Sequence, residues 1–283
     1  MRRAAALSLV VAGAGAALAC GCGQKVLTVV DPCPDGGIFS SSVGCVPPGL
    51  FDDLVGWWQL DDGGGLIAHD ASLRGNDGAL NGLDPVNAWI PGRAGTGLNV
   101  EGNGYVNVPD SASIDSITEQ VTMAGWGYLD GTIMDYATIA SREEGMTIDQ
   151  HYHISFDGME FPTCFLKTDN GNVRLTVQTA AARGTWIHIA CTYDGSTGRL
   201  YVDGQPISGL GAQGLTGRFV ADTTPFILGA NGNGPDMGVS ERFPGRVDEI
   251  MLYRRALSAS EIAQLHNGVL FGSGGGDDAG ARD

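Results

Sequence analysis

The stretch FPGRVDEIMLYRRALSASEIAQL, residues 243–265, contains the strongest secondary-structure signals of this chain. Up to Tyr253 it reads as an extended strand, in which successive side chains point to opposite sides. One side would carry four residues and the other three, namely Val247, Glu249, Met251 and Tyr253 against Asp248, Ile250 and Leu252. Because both sides carry apolar groups, the pattern predicts a largely buried strand.

The second half of the same stretch predicts a short capped helix. Ser258 stands three residues before Glu261, so its hydroxyl can accept from first-turn amides while the carboxylate reaches back. Asn267-Gly268 supplies a C-terminal stop signal. We therefore expect a closing strand that leads directly into one helix.

Upstream of this stretch the chain is rich in turn signals. Glycine accounts for 45 of the 283 residues, and many glycines follow Asp or Asn, as in Asp157-Gly158 and Asp203-Gly204. Such pairs adopt the positive φ angles that tight hairpins need. The runs between them alternate as strands do, and no strand–helix–strand repeat occurs. The predicted fold class is all-β: a two-sheet antiparallel sandwich with one short C-terminal helix.

Five blocks that follow one another along the chain resemble those of LamG-like jelly-roll domains. They are LVGWWQLDDGGGLIAHDASLRGNDGALNG, GLNVEGNGYVNVPDSASID, VTMAGWGYL, WIHIACTYDGSTGRLYVDGQPI and GRVDEIMLYRRALSASEI. The resemblance covers most of residues 52–268. It implies the concanavalin A-like jelly roll that laminin G modules, pentraxins, legume lectins and some glucanases share.

The N-terminus predicts export. Met1-Arg2-Arg3 precedes an apolar run over residues 4–17, which is too short to span a bilayer but suits a secretory signal over residues 1–19. Ala17-Leu18-Ala19-Cys20 resembles a bacterial lipoprotein signal, in which Cys20 is acylated after cleavage; plain secretion is the alternative. We expect a protein of the cell envelope, lipid-anchored at the outer membrane or cell surface, or else secreted.

Three further segments follow the signal. Residues 20–50 are predicted to form a tether, and residues 51–268 the jelly-roll domain. Residues 269–283 are rich in Gly and Asp and are predicted to be a disordered tail.

The cysteines fit an oxidising compartment, in which disulfides persist. Six occur, at positions 20, 22, 33, 45, 164 and 191. Cys33 and Cys45 flank a turn-rich part of the tether and are predicted to pair. Cys164 and Cys191 each lie in a strand-like run, and we expect a bond between neighbouring strands if the two fall opposite each other. Cys22 then remains a free or capped thiol.

The LamG resemblance implies a structural calcium ion. Calcium takes six to eight oxygen ligands from carboxylates, amide and backbone carbonyls, and water. Residues 70–78 are rich in such oxygens, and the resemblance places Asp248 beside them. The predicted ligands are Asp70, Asn76 and Asp248, with Asp62 as a weaker fourth.

Asp248 also has three readings that need no metal. It pairs with Arg246 or Arg254, it caps the amides of a loop, or it is exposed to solvent. A carboxylate between the apolar residues Val247 and Ile250 is not expected to be buried without a partner. These alternatives stay open at this point.

A sugar-binding surface needs planar aromatic rings beside polar groups, because pyranose rings stack on aromatic faces while their hydroxyls take directional hydrogen bonds. Five residues in or next to predicted loops are candidates: Trp89, Tyr136, His151, Tyr152 and His153. The alternative is that such aromatics fill the core, which we expect for Trp57, Trp58, Trp126 and Trp186. His151 and His153 would point the same way along a strand, but no third zinc ligand is evident.

Recognisable catalytic motifs are missing. Retaining glucanases of this architecture carry Glu-x-Asp-x-x-Glu on one strand, and this chain has no such string. Glu143-Glu144 and Asp248-Glu249 are adjacent pairs, whose side chains diverge in an extended strand. Gly-x-Ser-x-Gly, His-Glu-x-x-His and phosphate-loop motifs do not occur either. We therefore expect that the protein is not an enzyme.

The formal net charge is −16, from 16 basic and 32 acidic residues, which argues against nucleic acid as a partner. The predicted function is a non-catalytic LamG-like binding module that recognises a glycan or another exported protein. Two alternatives are a divergent glycoside hydrolase or lyase of the same fold, and a structural spacer that binds nothing. Membrane contact is expected only through the lipid anchor.

Overall fold

The structure is a computed structural model that describes residues 38–40, 44–46, 49–102, 104–144, 149–232 and 238–268. The strands are β1 (Ile38–Ser40), β2 (Gly44–Val46), β3 (Leu54–Trp58), β4 (Ile67–Ala68), β5 (Gly78–Asn81), β6 (Trp89–Pro91), β7 (Thr96–Asn99), β8 (Tyr105–Val108), β9 (Val121–Leu129), β10 (Tyr136–Glu144), β11 (Asp149–Asp157), β12 (Pro162–Thr168), β13 (Gly171–Thr176), β14 (Trp186–Tyr193), β15 (Thr197–Val202), β16 (Gln205–Pro206), β17 (Ala212–Gly214), β18 (Phe226–Leu228), β19 (Asn231–Gly232), β20 (Val239–Ser240) and β21 (Gly245–Tyr253). The helices are α1 (Ala112–Asp115) and α2 (Ala259–His266), with a 3-10 turn at Gly209–Gly211.

Two large antiparallel sheets form a sandwich. The eight-stranded sheet has the order β13-β12-β11-β10-β18-β8-β5-β4. The nine-stranded sheet has the path β16-β15-β14-β9-β21-β7-β6, to which β17 adds at β15 and β3 at β21. The small pairs β1-β2 and β19-β20 are separate from both. The predicted two-sheet all-β fold is confirmed.

The space between the sheets is filled by apolar side chains from both. In β11, Tyr152, Ile154 and Phe156 face this core, so the alternate residues His153 and Ser155 point to the outer face. The sequence HYHISF thus places its polar residues on one side of the strand and its apolar ones on the other.

The closing strand β21 contains a β-bulge that the sequence pattern did not predict. Its register against β9 shifts between Asp248 and Met251, and Glu249 has a φ of 50°. Val247 therefore faces the core between the sheets together with Ile250, whereas Met251 packs on the opposite side. The strict alternation predicted for residues 247–253 is wrong, because the bulge adds one residue and reverses the order of sides.

The predicted capped helix is confirmed as α2. The hydroxyl of the N-cap Ser258 accepts from the backbone N–H of Glu261 at 3.3 Å, and the Glu261 side chain accepts from the Ser258 N–H at 2.8 Å. Asn267 is the C-cap, and Gly268 follows with a φ of 73°.

Helix α2 covers part of the outer face of the nine-stranded sheet. Its buried residues Ile262 and Leu265 belong to a second apolar cluster, which also contains Trp57, Met251 and Tyr253. Beneath the helix, the nine-stranded sheet is therefore buried on both faces. This explains why β21 carries apolar residues on both of its sides.

One predicted Asp-Gly hairpin joins β15 to β16. Val202 pairs with Gln205, and the two residues between them, Asp203 and Gly204, have φ angles of 48° and 74°. Positive φ at both central positions is what a two-residue type I′ turn requires. A Cβ atom at Gly204 would also lie 2.9 Å from the Cβ of His266, so the turn and the end of α2 both favour glycine there.

Cys164 and Cys191 form the predicted disulfide, with their Cα atoms 6.1 Å apart. Cys164 lies on β12 of the eight-stranded sheet and Cys191 on β14 of the nine-stranded sheet. The expectation of a bond between neighbouring strands is therefore wrong. The bond crosses the core and links the two sheets, because both residues face inward.

Several predictions lie outside the described residues: the signal over residues 1–19, lipidation of Cys20, the state of Cys22, the Cys33 half of the Cys33–Cys45 pair, and the tail over residues 269–283. Cys45 itself lies in β2. In the part of the chain that the structure describes, no helix has the length and apolar character needed to cross a membrane.

Candidate functional site

The outer face of the eight-stranded sheet carries a row of polar and aromatic side chains. In β12, Cys164 and Leu166 face the core, so Phe165 between them points outward. By the same alternation His153 on β11 and Arg174 on β13 point outward. Phe165 is the register partner of both, so the three side chains lie side by side across three strands.

A buried acid–base pair forms one end of this row. His153 Nδ1 contacts Glu143 Oε1 of β10, and only 4% of the His153 side chain and 1% of the Glu143 side chain are exposed. Within the described residues, Glu143 Oε2 and His153 Nε2 are buried and have no hydrogen-bond partner. Such atoms are rare in folded proteins, so a water molecule or a ligand group is expected at each.

The chemistry of the pair defines what it binds. Glu143 Oε2 is a carboxylate oxygen and accepts, whereas the role of His153 Nε2 as donor or acceptor depends on where the ring carries its proton. A hydroxyl group can bond to either atom, because it both donates and accepts.

The other end of the row is exposed. The Phe165 ring stacks on His153 with centroids 5.5 Å apart and planes at 21°. The Arg174 guanidinium carbon lies 5.5 Å from the Phe165 centroid and 4.6 Å from that of Tyr136. Phe165 is 8% exposed, Tyr136 is half-buried and Arg174 is exposed, so the row reaches solvent at Tyr136 and Arg174. We call these five residues the outer row: Glu143, His153, Phe165, Arg174 and Tyr136.

Further polar groups lie beside the outer row. The hydroxyls of Ser155 and Thr163 are 2.7 Å apart, and Ser141 Oγ accepts from the Gly232 N–H at 3.3 Å. Asn231, next to Gly232 in β19, adds another buried oxygen, since its Oδ1 has no partner among the described residues. Polar side chains that can donate or accept therefore border the row.

The structure brings together two of the five predicted sugar-contacting residues, Tyr136 and His153. His151 lies on the same face, but its Nε2 is 2.7 Å from Asp222 Oδ2. Asp222 also lies 3.5 Å from the guanidinium of Arg142, a buried arginine that the sequence reasoning missed. His151 thus belongs to an ion-pair network at the end of the sheet.

Tyr152 and Trp89, which were predicted in or next to loops as sugar contacts, lie in β11 and at the start of β6 with buried side chains. Tyr152 faces the space between the sheets, and burial raises its pKa to about 12. Trp89 is 8% exposed and donates its Nε1 proton to the Gly65 carbonyl at 3.1 Å. Neither side chain offers a ring face to solvent.

The core positions predicted for Trp57 and Trp58 are confirmed, since both are fully buried. The prediction for Trp186 is wrong: it is half-buried, with its ring 5.5 Å from that of Tyr128. Trp126 is buried, but it belongs to neither apolar cluster and stacks on the end of α2. On β9 its neighbours that face the core are glycines, so the ring lies on the outer face of the nine-stranded sheet.

The predicted calcium loop is held by its own hydrogen bonds. Asp70 Oδ1 accepts from the N–H groups of Trp57 at 3.0 Å and Ser72 at 2.8 Å. Asp70 Oδ2 accepts from the Asn76 N–H at 2.9 Å and the Ser72 hydroxyl at 2.8 Å. The Asn76 Oδ1 in turn accepts from the Ser111 hydroxyl at 2.7 Å. Protein donors thus already engage the side-chain oxygens offered to the metal.

Asp248 caps the amides of a loop, which is one of the three alternatives to metal binding that the sequence left open. Its Oδ2 accepts from the N–H groups of Arg93 at 2.6 Å and Ala94 at 3.1 Å, and its Oδ1 from that of Glu249 at 2.9 Å. Glu249 Oε2 accepts from the Trp57 Nε1 proton at 2.6 Å. Burial raises the pKa of both carboxyls well above their ordinary range, and the charge of Asp248 raises that of Glu249 further.

The predicted calcium ligands Asp70, Asn76 and Asp248 accept hydrogen bonds from protein donors in the structure. Asp70 and Asp248 are held by different partners, and Asp62 contacts a histidine ring at 2.5 Å. The described part of the chain contains no group of three or more His, Cys, Asp or Glu side chains that could hold a metal. Arg246 and Arg254 pair with other acids rather than with Asp248. Calcium binding by this chain stays a prediction.

Sequence reasoning did not place Phe165 or Arg174 in the site, and it set Glu143 aside. Strand alternation carries a signal for Phe165, because Cys-Phe-Leu in an all-β chain predicts a ring on the side opposite its neighbours. The contact of Glu143 with His153 depends on the register of the hairpin between β10 and β11, which shifts at this end. No local pattern specifies that shift.

The fold defines the class of protein, a concanavalin A-like sandwich. Residues 100–263 match the profile of the Laminin_G_3 family, described as the concanavalin A-like lectin/glucanases superfamily. This match covers more than half of the chain, and the chain belongs to that family.

A sequence relative is Adhesion G-protein coupled receptor V1 of Danio rerio, 26% identical over 138 residues, which are 48% of this chain and 2% of the receptor. A mutant of Trypanosoma rangeli sialidase displaying trans-sialidase activity is similar in structure, with a TM-score of 0.59 and 20% identity, over 81% of this chain and 35% of that one. Domain 4 of AbnA, a GH43 extracellular arabinanase from Geobacillus stearothermophilus in complex with arabinotriose, has a TM-score of 0.55 and 18% identity, over 76% of this chain and 98% of that one. At these identities the structural likeness shows the fold alone.

Proposed function

We propose that this chain is a non-catalytic binding module, extracellular or displayed at the cell surface, that recognises a glycan through the outer row. One observation carries the proposal: the buried atoms Glu143 Oε2 and His153 Nε2 have no partner in the described residues. Sugar hydroxyls both donate and accept hydrogen bonds, and the half-buried ring of Tyr136 offers apolar contact to a sugar ring.

Two relatives support this choice over a protein ligand. The arabinanase domain has the same fold and is in complex with arabinotriose, and the sialidase acts on glycans by its name. The receptor relative is an adhesion protein by name, which supports a position outside the cell and keeps an exported protein as the alternative partner.

A glycan array followed by calorimetry tests the proposal. We expect His153→Gln and Phe165→Ala to weaken binding of the selected glycan at least about tenfold, because each removes a contact at the centre of the row. His69→Gln is the matched control, since the His69 side chain is 65% exposed and contacts only Asp62. An array and a pull-down that both return nothing would contradict the proposal and favour a structural spacer.

A divergent glycoside hydrolase or lyase is the second candidate, and the contact between Glu143 and His153 favours it. A carboxylate beside an imidazole can accept and return a proton during bond cleavage. Release of new sugar ends from a bound polysaccharide, abolished by Glu143→Gln, would establish an enzyme. Binding without any release of sugar ends would keep the non-catalytic assignment.

We also propose export and anchoring through Cys20, on the sequence of residues 1–20 alone. Cells that express the full chain should incorporate labelled palmitate into it, and Cys20→Ser should abolish the label. Secretion of unlabelled wild-type protein would establish plain secretion instead.

A further inference from the structure

Two basic side chains on the outer face of the eight-stranded sheet have no acidic partner. Arg174 on β13 is exposed, and Lys167 on β12 follows the core residue Leu166, so it shares the outer face with Phe165. Over residues 49–102, 104–143, 151–232 and 238–268, no carboxylate pairs with either group, and neither side chain donates a hydrogen bond.

Most of the other described arginines are paired with acids. Seven form ion pairs with Asp or Glu: Arg142, Arg183, Arg199, Arg218, Arg246, Arg254 and Arg255. Arg74 and Arg93 have no acidic partner among the described residues either, and Arg93 lies over the Trp126 ring at 4.5 Å. Arg174 differs from these two because it lies in the outer row.

The Arg174 guanidinium is held in place by rings rather than by acids. It lies 4.6 Å from the centroid of Tyr136 and 5.5 Å from that of Phe165. Stacking of this kind leaves the N–H donors at the edge of the planar group free. An arginine presented in this way matches the paired oxygens of a carboxylate or sulfate group.

We propose that the glycan bound at the outer row is anionic and carries a carboxylate or sulfate that bonds to Arg174, with Lys167 as a second positive charge. This inference rests on the proposed function and names the ligand class of that site. Hydroxyls of the same ligand bond to Glu143 and His153. The anionic group lies at the Arg174 end, because the carboxylate of Glu143 would repel it at the other.

Calorimetry on the full chain with matched saccharides tests the inference. The probes are oligogalacturonate against its neutral methyl ester, and dextran sulfate oligosaccharide against dextran. We expect the carboxylate or the sulfate probe to bind at least about tenfold more tightly than its neutral counterpart. Raising the salt from about 50 mM to about 300 mM should weaken that binding, because Arg174 and Lys167 are accessible to ions.

Two variants and a control test how much Arg174 and Lys167 each contribute to binding of the anionic probe. Arg174→Gln should remove most of the preference for the anionic probe, and Lys167→Gln part of it. Arg218→Gln makes the same charge change at an exposed arginine that is paired with Glu119, and it should leave binding unchanged. Thermal unfolding of each variant verifies that it is folded.

The outcomes separate the two proposals. Preference for uronate alone, or for sulfate alone, supports the inference and identifies which anion is bound. Equal binding of charged and neutral probes, or an unchanged preference in Arg174→Gln, overturns the inference and leaves glycan binding intact. Binding of no saccharide, charged or neutral, overturns both.

Discussion

The outer face of each large sheet contains a buried carboxylate. The two carboxylates differ in how many of their oxygens accept hydrogen bonds from the described residues. On the nine-stranded sheet, Asp248 accepts from three backbone N–H groups at 2.6–3.1 Å. On the eight-stranded sheet, Glu143 contacts His153 through Oε1 and leaves Oε2 without a partner among the described residues. Both side chains are almost fully buried.

The difference shows that burial of an acid does not by itself mark a binding site. Asp248 holds the loop at Arg93 and Ala94 against the closing strand, which is a structural task. Among the described residues, Glu143 contacts only His153 and lacks a donor for its second oxygen. A buried polar atom without a partner costs stability, so it is retained where a ligand or water supplies the partner.

The largest effect should come from Asp248→Ala. Three backbone N–H groups, of which that of Glu249 is buried and those of Arg93 and Ala94 are partly buried, lose their acceptor, so we expect the free energy of unfolding to fall by about 4 kcal/mol. Urea denaturation measures it. Asp53→Ala is the control, since its ion pair with Arg254 is exposed and its loss should cost less than about 1 kcal/mol. Equal losses in both variants would contradict a structural role specific to Asp248.

The limits of sequence reasoning follow from the same two regions. The helix α2 was predictable because Ser258, Glu261 and Gly268 act locally. The bulge at Glu249 was not, because Asp248 beside it bonds to the loop at Arg93, which is distant in sequence. The sandwich was predictable from alternation and turns, whereas the pairing of strands in space was not.

In the candidate site too, local features were predictable from the sequence and contacts between strands were not. The outward direction of His153 follows from alternation in β11, and Tyr136, another candidate from the sequence, lies in the same outer row. The neighbours Phe165 and Arg174 become visible only with the registers of β11, β12 and β13. Contacts across strands depend on register, and register depends on the whole sheet.

The disulfide between Cys164 and Cys191 joins the two regions, since Cys164 precedes Phe165 of the outer row. Replacing both cysteines by alanine should lower the free energy of unfolding by about 3 kcal/mol, because the unfolded chain gains freedom. The measurement is denaturation of wild type and variant with and without reductant. The free energy of unfolding of the double variant should not change with reductant. If that of the wild type does not fall in reductant either, the result would argue against the bond.

A pH-dependent effect should follow at Glu249. Burial raises its pKa, so its contribution to stability is complete below the unfolded-state pKa and is lost as the pH rises through the folded-state value. Glu249→Gln keeps an acceptor for Trp57 and removes the titration. We expect the variant to gain about 1 kcal/mol over wild type at pH 7 and nothing near pH 4.

Denaturation at several pH values measures this difference between the two proteins. Burial lowers the pKa of His188 to about 3, which gives the opposite trend, with stability lost as the pH falls. His188 is present in both proteins, so its contribution cancels. A difference that does not change with pH would show that Glu249 titrates normally in the folded protein.

The smallest effect on stability should come from Glu143→Gln, which is the counterpart of the Asp248 experiment. The second oxygen of Glu143 has no partner among the described residues to lose, and glutamine keeps an acceptor for His153, so we expect a change below about 1 kcal/mol. Glycan binding should nevertheless fall at least about tenfold, because a carboxylate that accepts from ligand hydroxyls becomes a weaker acceptor. Calorimetry and urea denaturation on the same protein preparation separate the two quantities. A large loss of stability with unchanged binding would reverse the comparison, since it would make Glu143 a structural acid like Asp248.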